Sequence, residues 1–241
     1  MRGTGQGVRR GIEYCPVNAG VEAVGDRWTL LVLRELLLGS EHFNDLHRGL
    51  PGISRTLLSA RLRRMRAHGL LTRTPDPTGR PAYRLTPAGA ALEPLVWQLG
   101  DWARRWSFGD PEPGQLDAGQ AVWRLRQYVR TEALPERRVV VEFALGTERG
   151  WLVLPGRASG DDASACRVHP GYEVDLWVSG DLAELHRLVA GTTTIGAVRR
   201  AGALRVDGDP ELTAGFEGWF AWRTSGAGGE ALPGGSGPDT L

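Results

Sequence analysis

Residues Ile53–Arg84 read ISRTLLSARLRRMRAHGLLTRTPDPTGRPAYR, and their periodicity decides the first half of the chain. Leu58, Leu62 and Met65 recur at i, i+4 and i+7, with Leu57 at the edge, so one face of a helix packs inward. Ser54 is a natural N-cap for that helix, which ends before Gly69. Its opposite face carries Thr56, Ser59, Ala60, Arg63 and Arg64, flanked by Arg55 and Arg66. Two short strands, Leu70–Thr74 and Ala82–Leu85, flank the turn PDPTGRP; Arg73 and Arg80 fall at or near its tip and Arg84 at its base. A stiff basic helix beside a basic hairpin suits double-stranded DNA. The helix enters the major groove with small hydroxyl residues foremost, and its arginines hold phosphates or guanine. The hairpin tip then meets a flanking phosphate or minor groove. An arginine-rich helix alone can equally be a solvated face, so the neighbouring features carry weight.

Charge distribution is one of them. The whole chain of 241 residues has a formal net charge of only +1. From Met1 to Asp110, however, sixteen Arg face ten Asp and Glu, whereas from Gln120 to Arg223 thirteen face fourteen. Within Glu41–Arg84 the balance is nine against three. The basic excess is local, as expected when one module meets a polyanion and the other does not. With 41% hydrophobic residues and enough length for two cores, the composition is that of a globular protein of two domains. Two cysteines, Cys15 and Cys166, stand in no metal-like or CxxC spacing, which fits a reducing cytoplasm. No apolar run reaches the roughly 18 residues a membrane helix needs, so the expectation is a cytoplasmic protein without membrane contact.

Around the opening stretch, Pro16–Gly25 reads as a helix. Asp26 can cap a second, mostly buried one (DRWTLLVLRELLLG) that closes at Gly39, and a short helix follows at His42–Arg48. Thr86 caps a helix over Pro87–Trp106. Along it Leu92, Leu95, Leu99, Trp102 and Trp106 repeat every three or four residues, a stripe that needs a partner: a second copy, or packing on its own chain. The expected organisation is a disordered basic arm at 1–12, a DNA-binding and dimerisation domain at 13–107, a Pro- and Gly-rich linker at 108–119, an α+β domain at 120–223 and a disordered tail at 224–241.

Several motifs in order now carry a resemblance: Cys15-Pro-Val, Gly25–Gly39, Phe43-Asn-Asp-Leu, Leu50–Ser54, L-x-x-R-L-R at Leu58–Arg63, G-L-L-x-R at Gly69–Arg73, and Y-x-L-T-x-x-G from Tyr83. From Cys15 to about Trp106 the chain resembles the HxlR-type winged helix-turn-helix transcriptional regulators. The resemblance implies a homodimer on a roughly palindromic operator, with the first and last helices of the domain at the interface. In several members the cysteine of the CPV motif acts as a thiol switch, and Cys15 occupies that position. A cysteine ahead of a helix N-terminus has its thiolate favoured by the helix dipole; the alternative is a small buried residue at the interface.

Beyond the linker the pattern changes. A helix at Ala121–Arg130 precedes strands at RVVVEFAL and GWLVLPG. YEVDLWVSG alternates, with Tyr172, Val174, Leu176 and Val178 on one face. Helices DLAELHRLVAG and TTTIGAVRRAG, a strand LRVDGD and a last helix PELTAGFEGWFAW complete the set. The order of elements and the segment Gly202–Asp209 resemble the sterol-carrier-protein-2-like fold, which implies a curved sheet with helices over an apolar cavity, used for lipids or acyl chains or simply for packing. No Ser-His-acid order, phosphate loop or metal cluster emerges; His169 is lone, His186 reads as an exposed helix residue, and Asp161-Asp162 as a solvated loop. Trp123, Trp151, Trp177, Trp219 and Trp222 belong to the core or line a pocket.

The sequence therefore describes an α+β protein: an N-terminal winged helix-turn-helix, mostly α with a β-hairpin wing, followed by a sterol-carrier-like domain. The expected function is a non-enzymatic, homodimeric regulator, acting as a repressor, with no cofactor or metal and a small apolar or acyl ligand in its C-terminal domain. The competing readings are a Cys15 thiol-switch regulator whose C-terminal domain is only a scaffold, and a regulator–enzyme fusion.

Overall fold

A computed structural model of the chain describes residues 14–222; the arm expected at 1–12 and the tail expected at 224–241 lie outside them. The chain divides into two units at Leu99–Gly100.

In the first unit, α1 (Pro16–Val24) leads into α2 (Arg27–Leu37), α3 (Phe43–Gly49) and α4 (Arg55–Ala67). The start of α2 follows from Asp26, whose carboxylate accepts the Trp28 and Thr29 amides at 2.9 and 3.3 Å. Ser54 Oγ likewise accepts the Leu57 amide at 3.1 Å and starts α4. Strands β1 (Leu71–Pro75) and β2 (Pro81–Leu85) pair antiparallel with Arg73 opposite Tyr83. The core is formed by Val32, Leu33, Leu46, Leu50, Leu58, Leu62 and Met65, all essentially without accessible surface.

The single helix expected over Pro87–Trp106 is two: α5 (Pro87–Ala90) and α6 (Glu93–Trp106). Pro94 is the reason. Inside a continuous helix it would leave the Ala90 carbonyl without its donor and clash with it, whereas in a first turn it is tolerated. Gly89 in α5 is required by proximity, since a Cβ there would stand 2.0 Å from the Leu70 carbonyl oxygen.

The second unit holds a five-stranded sheet of order β5-β4-β3-β6-β7. Its strands are β3 (Val139–Leu145), β4 (Glu148–Leu154), β5 (Ser164–Cys166), β6 (Leu176–Gly180) and β7 (Leu204–Gly208). All neighbours are antiparallel except β3 and β6, which run parallel. One face carries Val141, Phe143, Leu152, Leu154, Ala165, Leu176 and Val178 into the core. Helices α7 (Ala118–Arg126), α8 (Leu182–Ala190), α9 (Ile195–Arg200) and α10 (Pro210–Gly215) accompany it. Among them α7 lies against β3, β4 and β5, while α9 and α10 lie against β7.

Four sequence expectations change here. The strand expected from Tyr172 begins only at Leu176, because Asp175 is spent on β3: its carboxylate accepts the Val140 amide at 2.8 Å and its own amide donates to the Val140 carbonyl at 2.9 Å. Tyr172 is thus exposed rather than facing the core beside Leu176. The helix expected at Ala121–Arg130 starts three residues earlier, capped by Asp117 on the Gln120 amide at 2.8 Å. The final helix stops at Gly215 and tightens into a 3-10 turn at Phe216–Trp219, which buries Phe216 and Trp219. Finally, residues 108–119 are not a bare linker: Asp110 pairs with Arg187 at 2.9 Å, Pro113–Gln115 form a capped 3-10 turn, and Asp117 is held bidentately by Arg167.

His186, expected on an exposed helix face, is half-buried beside that same segment. Its Nε2 lies 3.1 Å from the Asp117 amide nitrogen and 3.2 Å from the Asp117 carbonyl oxygen. With Nε2 unprotonated it accepts from the amide; with Nε2 protonated, as it must be in the cation, it donates to the carbonyl. Burial pushes its pKa below the ordinary histidine value near 6.5, against the smaller upward pull of the Asp117 hydrogen bond and of the Asp117 and Glu148 charges. A depressed histidine pKa means that the unfolded chain takes the proton first as pH falls. Thermal melts between about pH 8 and about pH 5.5 should therefore lose stability toward acid below the ordinary histidine value, and His186→Gln should remove part of that slope. Equal slopes in the two proteins would show that His186 is not the group responsible.

Candidate nucleic-acid interface

The rotation of α4 is set by burial. Leu58, Leu62 and Met65 have at most 1% of their surface exposed, so the face opposite is turned to solvent. On it Arg55, Thr56, Ala60, Arg63, Arg64 and Arg66 are exposed, with Ser59 half-buried at the margin. Ser54 is exposed as the helix cap. These residues form one continuous surface, as their spacing demands. Leu57, at the edge, is 36% exposed.

Several of the arginines are already aimed. Arg55 Nη1 donates to Asn44 Oδ1 at 3.1 Å, and its guanidinium lies over the Phe43 ring, tying the entry of α4 to α3. Arg63 Nη1 donates to Ser59 Oγ one turn back, at 3.2 Å. Arg64 Nη2 donates to the Glu22 carbonyl at 2.9 Å, so this guanidinium bridges α4 and the C-terminal turn of α1. Arg61, between them in sequence, points the other way: it pairs with Asp26 at 2.8 Å and is mostly covered. One carboxylate thus caps α2 and anchors α4.

The hairpin is braced from both ends. At its base Arg84 pairs with Glu41 at 2.8 Å and donates to Thr74 Oγ1 at 3.1 Å, while the Tyr83 amide donates to the Glu41 carbonyl at 2.8 Å. At the turn, Asp76 Oδ1 accepts the Thr78 hydroxyl at 2.7 Å and the Thr78 and Arg80 amides, each at 2.8 Å. Led by the Thr78 hydroxyl bond, these hold the Asp76 carboxyl below the ordinary carboxylate value. His42, the N-cap residue of α3, bridges to the turn, with Nε2 3.4 Å from Asp76 Oδ2 and Nδ1 3.1 Å from the Pro81 carbonyl. Arg80 is exposed beside the turn, and Arg73 is exposed with its guanidinium over the Tyr83 ring. The positioning residues Glu41, His42, Asn44 and Asp76 are not apparent from sequence, since each acts on a partner brought near by the fold.

The expected self-association stripe is exposed on α6. Leu95, Leu99, Trp102 and Trp106 are 47%, 46%, 56% and 66% exposed, whereas Leu92 is half-buried against the core of its own unit. Val17 and Val21 of α1 are also exposed. Cys15 is a free, half-buried thiol at the N-cap of α1.

Three helices ending in α4 and followed by a two-stranded wing define a winged helix-turn-helix. Residues 23–110 match the HxlR-like helix-turn-helix family. YvaP of Bacillus subtilis, an uncharacterized HTH-type transcriptional regulator, is 34% identical over 97 residues that cover 39% of this chain and 90% of its own. YtfH of Escherichia coli is 35% identical over 92 residues, 37% of this chain and 73% of its own. Among solved structures, PA1607, a putative transcription factor, is similar at 33% identity and a TM-score of 0.39, covering 41% of this chain and 70% of that one. The chain belongs to the HxlR-like helix-turn-helix family.

In the second unit the helices do cover the inner face of the sheet, but the apolar cavity between Phe143, Leu188, Phe216 and Trp222 measures about 20 Å³. Trp123 and Trp219 are buried, Trp151 is half-buried and Trp177 is 44% exposed. No cluster of three metal-ligating side chains occurs among the described residues, and no helix there is long and apolar enough to cross a membrane.

Removing the shared anchor tests this geometry. Asp26→Ala deletes both a helix cap and the partner of the covered Arg61, so it should cost more than the roughly 0.5–2 kcal/mol of a cap alone. Ser54→Ala, which removes only a cap, should stay within that range in urea melts. Equal losses would mean that the Arg61 contact contributes nothing.

Proposed function

We propose that the chain is a sequence-specific DNA-binding transcriptional regulator that acts as a homodimeric repressor on a palindromic operator. One observation carries the reading: the solvent face of α4 concentrates Arg55, Thr56, Ser59, Ala60, Arg63 and Arg66, beside a wing that presents Arg73 and Arg80. In this reading the N-terminal half of α4 enters the major groove, Arg63 takes guanine or a phosphate, and Ser54 and Arg55 meet the backbone at the groove edge. Arg64 spends one donor on α1 and offers the rest to phosphate. The wing arginines reach a flanking phosphate or minor groove.

Homodimerisation through Leu95, Leu99, Trp102 and Trp106, with Leu92 supporting the helix from its own core side, is favoured by the cost of leaving such a stripe in water. Two copies then set two α4 helices about 34 Å apart, one turn of duplex.

The C-terminal unit, sterol-carrier-like in its order of elements, is assigned to reception of a small apolar or acyl effector. An acyl chain exceeds a cavity of about 20 Å³, so reception in the core would require Trp222 and Phe216 to swing outward. The location of Cys15 supports a second reading, in which this thiol at the start of α1 forms a mixed disulfide with a small thiol, the two electrons and two protons passing to an oxidant such as diamide, and the added group beside Val17 changes operator binding. Cys15→Ser should then keep operator affinity while abolishing its response to diamide; an unchanged response removes the thiol from the mechanism.

For the main reading, Arg63→Ala should weaken operator binding by roughly 1–3 kcal/mol in a gel shift on the upstream region, and wild-type affinity should fall steeply with salt. Replacing Leu99 and Trp102 together with serine should yield monomers by light scattering and lose the two-half-site complex. Unaltered affinity in Arg63→Ala together with a salt-insensitive complex would refute the interface.

A further inference from the structure

The second unit contains a larger and chemically different space on the other face of its sheet. Val153, Ser164 and Cys166 project together from β4 and β5, because Val153 pairs with Ser164 and Trp151 with Cys166, whereas Leu152, Leu154 and Ala165 point into the core. The chain before β3, the loop between β4 and β5 and the loop after β5 rise around that floor and enclose a cleft of about 610 Å³. Small-molecule sites commonly span roughly 300–1,000 Å³.

The walls are tied down. The Pro155–Gly156 segment packs so closely that a Cβ on Gly156 would stand 2.1 Å from the Glu136 carbonyl oxygen. The Arg157 amide donates to the Pro135 carbonyl at 2.9 Å, and the Arg157 guanidinium bonds Glu136. On the far side the Gly171 amide donates to His169 Nδ1 at 3.1 Å, and the His169 ring meets Trp151 edge-on at 5.8 Å between centroids.

The charges lining the cleft point to the ligand. Arg138 stacks over the Tyr172 ring at 3.8 Å, which leaves the N–H groups at the rim of its guanidinium plane directed sideways. Its guanidinium enters no ion pair among the described residues, and neither does either carboxylate of Asp161 and Asp162 in the loop before β5. Opposite charges line one cleft and do not meet. A ligand that carries both signs would satisfy both ends at once, while an apolar part lies on Val153, Pro155 and Tyr172.

We propose that this outer-face cleft binds a dipolar ammonium–carboxylate with an apolar side chain, a free amino acid or a short peptide. Its carboxylate meets Arg138 bidentately and its ammonium meets Asp161 and Asp162. The proposal goes beyond the DNA reading, because it concerns binding that needs no operator.

The test is calorimetry on the full chain without DNA, against the twenty amino acids and a mixture of apolar dipeptides. For the best binder, the carboxyl-amide and N-acetyl forms are then compared with the parent. We expect the parent zwitterion to bind and each blocked form to lose about tenfold or more. Arg138→Gln should erase the preference for the free carboxylate, and Asp161→Asn with Asp162→Asn the preference for the free ammonium. Both changes lie in exposed positions, and an unchanged circular dichroism spectrum confirms the fold. As a second readout, in a Cys15→Ser background the ligand should slow maleimide addition to Cys166 on the cleft floor. Binding of a peptide but not of free amino acids fixes the source as peptide, and the reverse fixes it as amino acid. No binding across both sets, or equal binding of parent and blocked forms, overturns the proposal.

Discussion

The burial of Leu58, Leu62 and Met65 is the constraint on which the first unit depends. A helix has one rotation about its axis at which these three leave water, and each buried Leu or Met is worth roughly 1.5–3 kcal/mol. The orientation is therefore decided by apolar burial, which is indifferent to what lies on the other side. The opposite face can then be given over to arginines, which would repel one another if crowded elsewhere but here remain in high dielectric. The second fixing point is polar. Asp26 holds Arg61 while capping α2, so a slip of α4 along its axis would break a charged contact in a mostly covered place.

The same division of labour governs the hairpin. Strands of five residues are marginal alone, and the apolar anchorage of this pair is confined to one side: Leu71 and Ala82 are buried, with Tyr83 and Leu85 partly buried against the core. What fixes its direction is a set of polar ties to the loop before α3, namely Arg84 with Glu41, the Tyr83 amide with the Glu41 carbonyl, and His42 with Asp76 and the Pro81 carbonyl. Each exposed pair contributes little to global stability, commonly below about 1 kcal/mol. Together they orient a lever whose own folding they hardly affect.

Local chemistry was legible in the sequence. Asp26, Ser54 and Thr86 each accept a backbone amide at a helix start, and a capping residue declares itself through its immediate neighbours. The α4 face and the hairpin were readable for the same reason, as short-period patterns. What escaped depends on partners distant in the chain. The helical period leaves Arg61 off the face of Arg63 and Arg64, but its partner Asp26, 35 positions earlier, shows only in the folded chain. His186 looks solvated until Asp117 arrives from the presumed linker, and β5 is too short to show an alternation of its own. The break before Pro94 is a different case. The signal was local and present, and the continuous Leu and Trp repeat on both sides masked it.

Asp76 shows why residue type alone misleads at such a surface. An acid at the tip of a basic wing should repel a polyanion. Yet one of its oxygens already accepts three hydrogen bonds from the turn, and the other lies 3.4 Å from His42. The hydrogen bonds from the turn, led by the Thr78 hydroxyl, favour the ionised carboxylate and hold its pKa below the ordinary value. The carboxylate shapes the loop from inside, and the loop in turn sets Arg80 on the outside, where its charge faces water. Glu41 acts differently at the base, where it pairs directly with the Arg84 guanidinium at 2.8 Å and compensates its charge. Two of the three acids of the basic segment thus serve to position its arginines, Asp76 through the Arg80 amide and Glu41 through the Arg84 guanidinium.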